Sequence, residues 1–333
     1  MSLKDYMLKE NKNEVYEFYL KINPKALDYE KVSRNDMYRD IISLYKEDPE
    51  IILRLCSMEE IGILKKLLDE NIKKQENGYI DYLLFQNLMS NYLVLLENNE
   101  YYIPEDLINC IKMAMNLLNE EEYSMRDVVD STVMGISRVY NVLPLEEVIL
   151  LLGEYAIHYD LTTFKKQFKN NLKWKEKIEI VRFKKKDYLV SLEFPYYKDV
   201  LELRKNYKLA KYSLEELISF GKYKLNLFQE KILNFLNFLE IHLNSSSINS
   251  FINELIFYSG FDINNEGILL NICDSIEELY KETINVIPEF PIWVYYGNNL
   301  NHLKENMILP DKNEPCICGS GKKFKNCCEK LFK

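Results

Sequence analysis

The sequence predicts a mainly α protein: a helical body, an embedded winged-helix-like unit with one β-hairpin, and a small cysteine-rich knuckle at the C-terminus. Three observations lead to this prediction. Apolar residues recur at helical spacing over most of the chain, three helical segments precede two strand-like runs near its middle, and four of seven cysteines lie in its last twenty residues. The predicted domains are residues 1–122, 123–197, 198–310 and 311–333.

The composition fits a globular chain with a large core. Of 333 residues, 47% are hydrophobic and 29% are charged. Ten glycines and nine prolines are few for this length, which argues against a β-rich or disordered chain. The formal charge of −9 gives no general attraction to nucleic acid or to anionic membranes, although the positive charges are unevenly distributed.

The sequence also predicts a cytoplasmic protein. The N-terminal residues lack the apolar core of a signal peptide, and no apolar run is long enough to cross a bilayer, so no membrane insertion is expected. In a reducing compartment, clustered cysteines hold metal more often than they form disulfides.

The predicted N-terminal domain, residues 1–122, is a set of packed helices. One helix is expected over residues 59–68 and another over residues 79–96, each with apolar residues every three or four positions. Pro104 opens a further helix, since proline is tolerated in the first turn. Core packing explains this pattern without any added function.

The pattern of predicted elements changes in residues 123–197. The pattern predicts helices over residues 128–140, 145–156 and 164–174, with residues 141–144 as a break between the first two. Strands are predicted over residues 178–183 and 188–194, joined by a tight turn. Three helices followed by a hairpin is the element order of a winged helix. The helical pattern then returns in residues 198–310.

The cysteine cluster has the spacing of a metal site. Cys316 and Cys318 are separated by eight residues from the adjacent Cys327 and Cys328, and glycines between the pairs allow the chain to reverse. Four thiolates can surround one Zn²⁺ ion at about 2.3 Å in a tetrahedron. Because no coordination position stays open for water, the zinc is predicted to be structural and not catalytic.

Disulfides and idle thiols are the alternatives to a metal at the cysteine cluster. Disulfides conflict with the predicted compartment, and idle thiols have no reason to cluster. Residues 311–333 contain six lysines and three acids, a balance of 6 − 3 = +3, and four thiolates with one zinc ion contribute −4 + 2 = −2. Lys322, Lys323 and Lys325 therefore offset a negatively charged metal centre.

Residues 313–328, Asn-Glu-Pro-Cys-Ile-Cys-Gly-Ser-Gly-Lys-Lys-Phe-Lys-Asn-Cys-Cys, resemble the SEC-C motif, the zinc-binding tail of the SecA preprotein translocase. All four ligand positions of that pattern are matched. In SecA the tail binds a chaperone and ribosomes, so the resemblance implies a protein or ribosomal partner for the tail. The chain lacks a Walker A sequence and is far shorter than SecA.

The remainder of the chain resembles uncharacterised SEC-C metal-binding proteins of low-GC Gram-positive bacteria. The resemblance rests on residues 139–147, Val-Tyr-Asn-Val-Leu-Pro-Leu-Glu-Glu, and residues 293–298, Trp-Val-Tyr-Tyr-Gly-Asn. That grouping implies no established activity.

A basic segment runs through the predicted winged-helix unit. Residues 162–186 hold ten lysines and arginines and two acids, 10 − 2 = +8, in a chain whose total is −9. The candidate contacts to nucleic acid or to another partner are Lys165, Lys166, Lys169, Lys173, Arg182, Lys184, Lys185, Lys186, Lys322, Lys323 and Lys325. A solvated lysine face over an ordinary core is the alternative, and no base-reading signature is present.

The sequence contains no familiar catalytic motif. It lacks a serine-hydrolase elbow, a zinc-protease helix and a dinucleotide fingerprint, and its three histidines lie far apart. The preferred interpretation is a non-enzymatic adaptor whose zinc tail and basic hairpin engage a protein, ribosomal or nucleic-acid partner. The alternative is an enzyme with an unrecognised site in the helical body, for which the zinc motif is a recognition handle.

Overall fold

A computed structural model gives the architecture of the chain. It describes residues 2–23, 25–70, 79–98, 100–192, 197–203 and 207–222, and further along residues 293, 296–299, 306, 308–315, 322–326 and 329. Within these residues it contains thirteen α-helices and two small antiparallel sheets, so the predicted mainly α class is confirmed. None of the described helices combines the length and the apolar character that crossing a membrane requires.

The chain divides into two compact units that are interleaved in sequence. Unit 1 comprises residues 1–134 and 149–179, and unit 2 comprises residues 135–148 and 180–333. Two helices, α8 (Glu120–Tyr140) and α9 (Leu145–Glu154), and one strand, β4 (Ile178–Phe183), therefore contribute residues to both units. The four predicted segments stay a prediction.

Unit 1 is built from helices and one short hairpin. Its elements are α1 (Leu3–Lys9), α2 (Lys12–Ile22), α3 (Arg34–Glu47), α4 (Glu50–Leu55), α5 (Met58–Glu70), α6 (Tyr79–Ser90), β1 (Leu95–Glu97), β2 (Glu100–Tyr102), α7 (Ile108–Leu117), α10 (Leu161–Asn170) and α11 (Leu172–Lys177), together with the larger parts of α8 (Glu120–Tyr140) and α9 (Leu145–Glu154). Helix α11 packs against α4, and α3 packs against α1, α2 and α7.

Local sequence explains where the helices of unit 1 begin. Ser33 caps α3, and its hydroxyl accepts a hydrogen bond from the backbone of Asp36, whose carboxylate accepts one in return. Ser57 and Glu60 form the same reciprocal cap at α5, with Oε2 of Glu60 2.6 Å from the Ser57 nitrogen. Each cap satisfies two backbone donors that the first turn of a helix leaves without partners.

The core of unit 1 is apolar and aromatic. Phe85 stacks on Tyr101 with ring centroids 4.0 Å apart, and Phe164 stacks on Trp174 at 5.3 Å. Cys56 and Cys110 are both buried, and Cys273 lies outside the described residues. Burial raises the pKa of the Cys56 thiol far above its usual range, which leaves it an inert core side chain.

One predicted helix ends earlier than expected. The helix predicted over residues 79–96 stops at Ser90, and Leu95–Glu97 instead forms β1, which pairs with β2 in a hairpin. The backbone turns at Tyr92, whose φ of 56° lies in the left-handed region. The nitrogen of Leu93 then donates to the Leu88 carbonyl at 2.9 Å, which closes the end of α6. Periodicity alone does not reveal this reversal.

Unit 2 contains a three-stranded sheet. Strand β3 (Val142–Pro144) pairs antiparallel with β5 (Lys186–Ser191), and β4 (Ile178–Phe183) lies on the other side of β5, giving the order β3-β5-β4. The break predicted at residues 141–144 is thus a short strand. The turn is also tighter than predicted, since Lys186 already belongs to β5.

Two further helices of unit 2 follow the sheet, α12 (Tyr197–Leu203) and α13 (Leu214–Lys222). Ser213 and Glu216 form a reciprocal cap at the start of α13. At its other end, the Arg138 guanidinium donates to the carbonyls of Phe220 and Gly221 at 2.8 and 3.1 Å. A cation at a helix C-terminus satisfies free carbonyls and opposes the negative end of the helix dipole.

Candidate functional site

The tail is described on both sides of its cysteine pairs. Cys316, Cys318, Cys327 and Cys328 themselves lie outside the described residues. Pro315, which precedes Cys316 in the sequence, forms an antiparallel bridge with Lys323. The nitrogen of Phe324 donates to the Glu314 carbonyl at 2.8 Å, and that of Lys325 donates to the Lys312 carbonyl at 3.1 Å. Backbone hydrogen bonds therefore link the residues before the first cysteine pair to the residues before the second.

The tail carries its lysines outward and one aromatic ring inward. Lys322, Lys323 and Lys325 are exposed. Phe324, in a 3₁₀ turn over Phe324–Asn326 that directly precedes Cys327, is only 3% exposed. Sequence reasoning missed this side chain as a structural residue, although a single aromatic among lysines was a visible signal.

The basic segment is divided between the two units. Its helical lysines belong to α10 and α11 in unit 1, whereas Arg182 and Lys184 to Lys186 belong to the hairpin of unit 2. Lys166 and Lys169 are exposed, and Lys165 is partly buried. Helix α10 begins at Leu161, three residues before the predicted start at residue 164. Asp160 caps it, and the Asp160 carboxylate accepts from the nitrogens of Thr162 and Thr163 at 2.8 and 2.9 Å.

Lys173 lies in a buried network of unit 1 that the sequence did not predict. Its ammonium is 3.5 Å from a carboxylate oxygen of Asp127, and the two side chains are 19% and 8% exposed. Asn171 donates to buried Asp130 at 2.6 Å, and Arg126 lies 3.8 Å from the same carboxylate. A partner-binding role for Lys173 stays a prediction, but its position gives it a structural role.

The network extends to α2 and α5. Lys21 forms an ion pair with Glu176 of α11 and donates to Asn91 at 2.6 Å. Glu60 of α5 is 3% exposed, and the charge of Lys173 acts on it. We call these residues the ion network; its carboxylates are Glu60, Asp127, Asp130 and Glu176, and its cations are Lys21, Arg126 and Lys173. The four acids thus exceed the three cations by one.

Burial shifts the protonation of several members of the ion network. Desolvation raises the pKa of Glu60, against the attraction of Lys173 and hydrogen bonds from Ser57 and Asn87. Desolvation likewise raises the pKa of Asp130, against Lys173, Arg126 and Asn171. The pKa of Lys21 is lowered by desolvation despite its pairing with Glu176. Burial therefore makes Glu60 and Asp130 easier to protonate than exposed carboxylates are.

Glu60→Gln is expected to flatten the pH dependence of stability. Because the pKa of Glu60 is raised on folding, its stabilising contribution is complete below the ordinary value of 4.5 and is lost as pH rises through the raised pKa. Glutamine keeps the cap with Ser57 and never ionises. The free energy of unfolding of E60Q, minus that of the wild type, should therefore grow as the pH rises above 4.5. Urea unfolding at several pH values measures it.

Glu59→Gln is the matched control, since Glu59 is exposed one position earlier on the same helix. Its difference from the wild type should not vary with pH. An E60Q difference that shrinks as pH rises would show that ionised Glu60 is favoured in the fold.

The two segments on which the wider resemblance rests meet in unit 2. The indole nitrogen of Trp293 donates to the Arg138 carbonyl at 2.9 Å, and the Tyr140 hydroxyl donates to the Ala210 carbonyl at 2.6 Å. Gly297 has a φ of 75°, and a β-carbon there would lie 2.6 Å from the Tyr140 ring. These segments, far apart in sequence, thus pack against each other. The positive φ and the close Tyr140 ring both explain why a glycine stands at position 297.

Other candidate groups give no further site within the described part of the chain. His158 is exposed, and His242 and His302 fall outside that part. The described residues contain no group of three or more His, Cys, Asp or Glu side chains able to hold a metal ion.

The class of the tail follows from comparison with known families. Residues 313–330 match the SEC-C motif, as their cysteine spacing indicated. The resemblance found in the sequence is thereby confirmed for this motif.

Curated relatives add a more particular likeness. The chain is 42% identical over 55 residues to a UPF0225 protein of Shewanella sp. strain MR-7, and 50% identical over 55 residues to UPF0225 proteins of strains ANA-3 and MR-4. Each match covers 16% of this chain and 30% of the relative, so the chain spans less than a third of the length of the curated relatives it matches. No solved structure matches.

Proposed function

We propose that this protein is a zinc-binding, non-enzymatic adaptor whose SEC-C tail engages a protein or ribosomal partner. Its basic hairpin supplies a second contact, to nucleic acid. The helical body serves as the support that carries both elements.

The backbone pairing of the tail is the observation that carries the proposal. Pro315 and Lys323 are bridged, and the turn over Phe324–Asn326 leads directly into Cys327. These contacts hold together the chain segments that adjoin both cysteine pairs. A short segment with few apolar residues needs such a closure, and metal binding supplies the folding energy that it otherwise lacks.

Zinc suits the donor set of this tail. Four thiolates at the SEC-C spacing favour a soft tetrahedral ion without redox chemistry. Cys316, Cys318, Cys327 and Cys328 would hold it, and its contribution would be structural. The exposed Lys322, Lys323 and Lys325 would then present positive charge beside the metal, as a docking surface for an anionic partner.

The sheet of unit 2 supports the winged-helix interpretation. The chain runs α8, β3, α9, α10, α11, β4, β5, and the first strand pairs with the last. A winged helix has this strand order, and it has this order of elements apart from the additional helix α11. Strand β3 strengthens the winged-helix interpretation, because the hairpin of β4 and β5 alone is compatible with many folds. Fold does not fix function, so this likeness suggests nucleic acid as a partner without requiring it.

Metal analysis tests the proposal. Protein purified without chelators should contain zinc in equimolar amount, and Cys327→Ser/Cys328→Ser should lose it because two thiolates cannot close the tetrahedron. Cys110→Ala is the control, since that buried thiol lies outside the motif and should leave the zinc content unchanged. Metal-free wild-type protein would overturn the proposal.

Partner capture tests the second half of the proposal. Tagged wild-type protein should retain a partner that C327S/C328S loses. Equal capture by both proteins would show that the partner does not bind through the zinc-loaded tail.

A further inference from the structure

The turn between β4 and β5 is held in a backbone conformation that its residues disfavour. Lys184 and Lys185 have φ values of 45° and 68°, so both central residues lie in the left-handed region. Two-residue hairpin turns of this kind favour Asn-Gly, because a β-carbon is costly there. Local stability therefore does not explain why lysines occupy the turn. Disfavoured backbone conformations that persist in a fold are found preferentially at functional positions.

The side chains around the turn form a single-sign charge cluster. We define the wing tip as residues 182–186, Arg-Phe-Lys-Lys-Lys, with four positive charges and no acid. Arg182, Lys184, Lys185 and Lys186 are all exposed. Within the described residues, none of these four has a carboxylate partner within 4.0 Å. Lys173, in contrast, already faces Asp127 in the ion network.

The aromatic ring of the wing tip stabilises the hairpin. Phe183 is partly buried, with its centroid 6.4 Å from that of Tyr188, and the Lys184 ammonium lies 5.0 Å from its ring. A cation over an aromatic face is attracted by the ring. Phe183 thus already contacts two side chains of the hairpin and is a poor platform for stacking a base.

We infer that the wing tip binds the sugar–phosphate backbone of a nucleic acid without reading its base sequence. This inference rests on the proposed role as a binding protein and gives its second contact a chemical class. Three ammonium groups suit phosphates as point charges. Base reading relies on bidentate side chains, and Arg182 supplies the single bidentate donor among residues 182–186. A protein partner is less suitable, because protein interfaces have apolar centres and the wing tip exposes no apolar side chain.

Lys184→Asn/Lys185→Gly separates binding from folding. The variant installs the residues that the turn prefers and removes two charges, so its urea midpoint should rise while its binding weakens. The test uses the full chain and short duplexes of mixed sequence, with the dissociation constant measured over a range of salt. With one phosphate per cation, the slope of log affinity against log salt should fall in magnitude from about 3.6 to about 1.8.

Three controls make this test decisive. Lys46→Asn/Lys112→Asn removes the same charge from exposed positions of α3 and α7 that were never candidate contacts, and it should leave the slope unchanged. Lys184→Gln/Lys185→Gln keeps the disfavoured turn, so it should lose affinity without gaining stability. Polyglutamate should displace duplex DNA, or duplex RNA of the same sequence, only weakly from the protein. The duplex that binds more tightly identifies which nucleic acid the wing tip prefers.

An unchanged slope in K184N/K185G would overturn the inference, and so would an equal loss of slope in K46N/K112N. Polyglutamate that competes as well as a duplex would also overturn it. Its failure is distinguishable from failure of the zinc proposal. C327S/C328S should lose zinc yet keep the full salt slope, because the wing tip lies outside the tail. Metal-free wild-type protein that still binds duplexes would remove the zinc proposal alone.

Discussion

Gly135→Ala is expected to destabilise the protein by about 3 kcal/mol. Gly135 lies in α8, where glycine to alanine normally stabilises a helix by about 0.5 to 1 kcal/mol. At this position, however, the added β-carbon would overlap the carbonyl oxygen of Leu217 in α13 and lie 2.7 Å from its carbonyl carbon. Leu217 is fully buried, and a helix backbone cannot turn aside as a side chain can. The steric term therefore outweighs helix propensity.

The urea midpoint measures this loss, and Gly62→Ala is its control. Gly62 also lies within a helix, α5, but a β-carbon added there would meet no neighbouring atom within 4 Å. The same substitution should therefore have the opposite sign there. G135A as stable as G62A would mean that α8 and α13 do not approach each other closely at this point.

Lys173→Met is expected to destabilise the protein by about 2 to 3 kcal/mol. The variant keeps the aliphatic stem of the lysine but leaves Asp127, Asp130 and Glu60 with less neutralising charge. Breaking a buried pair costs more than the pair contributes, because the remaining charge stays away from water. The residual 19% exposure of the Lys173 side chain places the expected loss at the low end.

Lys175→Met is the control variant for Lys173→Met, because it removes the same charge from an exposed position. Lys175 is exposed on the same short helix, so its loss should change the unfolding free energy by less than about 0.5 kcal/mol. A K173M protein that also matches the wild type would show that water, and not Lys173, neutralises the acids. Adding Asp127→Asn to K173M should recover part of the loss, since it removes one of the buried negative charges.

The sequence predicted the elements whose signals are local. The helical class and the hairpin of β4 and β5 follow from the periodicity of apolar residues along the chain. The SEC-C tail was equally accessible, because cysteine spacing carries its own geometry. These features depend on residues within a few positions of one another.

Long-range packing explains what sequence reasoning missed. Lys173 looked like part of a solvated basic face, because its carboxylate partner Asp127 is 46 positions away in the chain. Strand β3 is too short to show alternation and exists through its pairing with β5. The end of α6 depends on a left-handed Tyr92, which no propensity favours. Each of these features is fixed by tertiary contacts, which a periodic pattern does not contain.

The interleaving of the two units limits where the polypeptide can be truncated. The chain passes from one unit to the other after residues 134, 148 and 179, so neither unit corresponds to a contiguous fragment. A truncation that ends at Met134 discards α10 and α11, and with them the lysine that faces Asp127. Nested deletions would therefore yield insoluble products for reasons unrelated to activity, and point substitutions in the intact polypeptide are the sounder way to map its contacts.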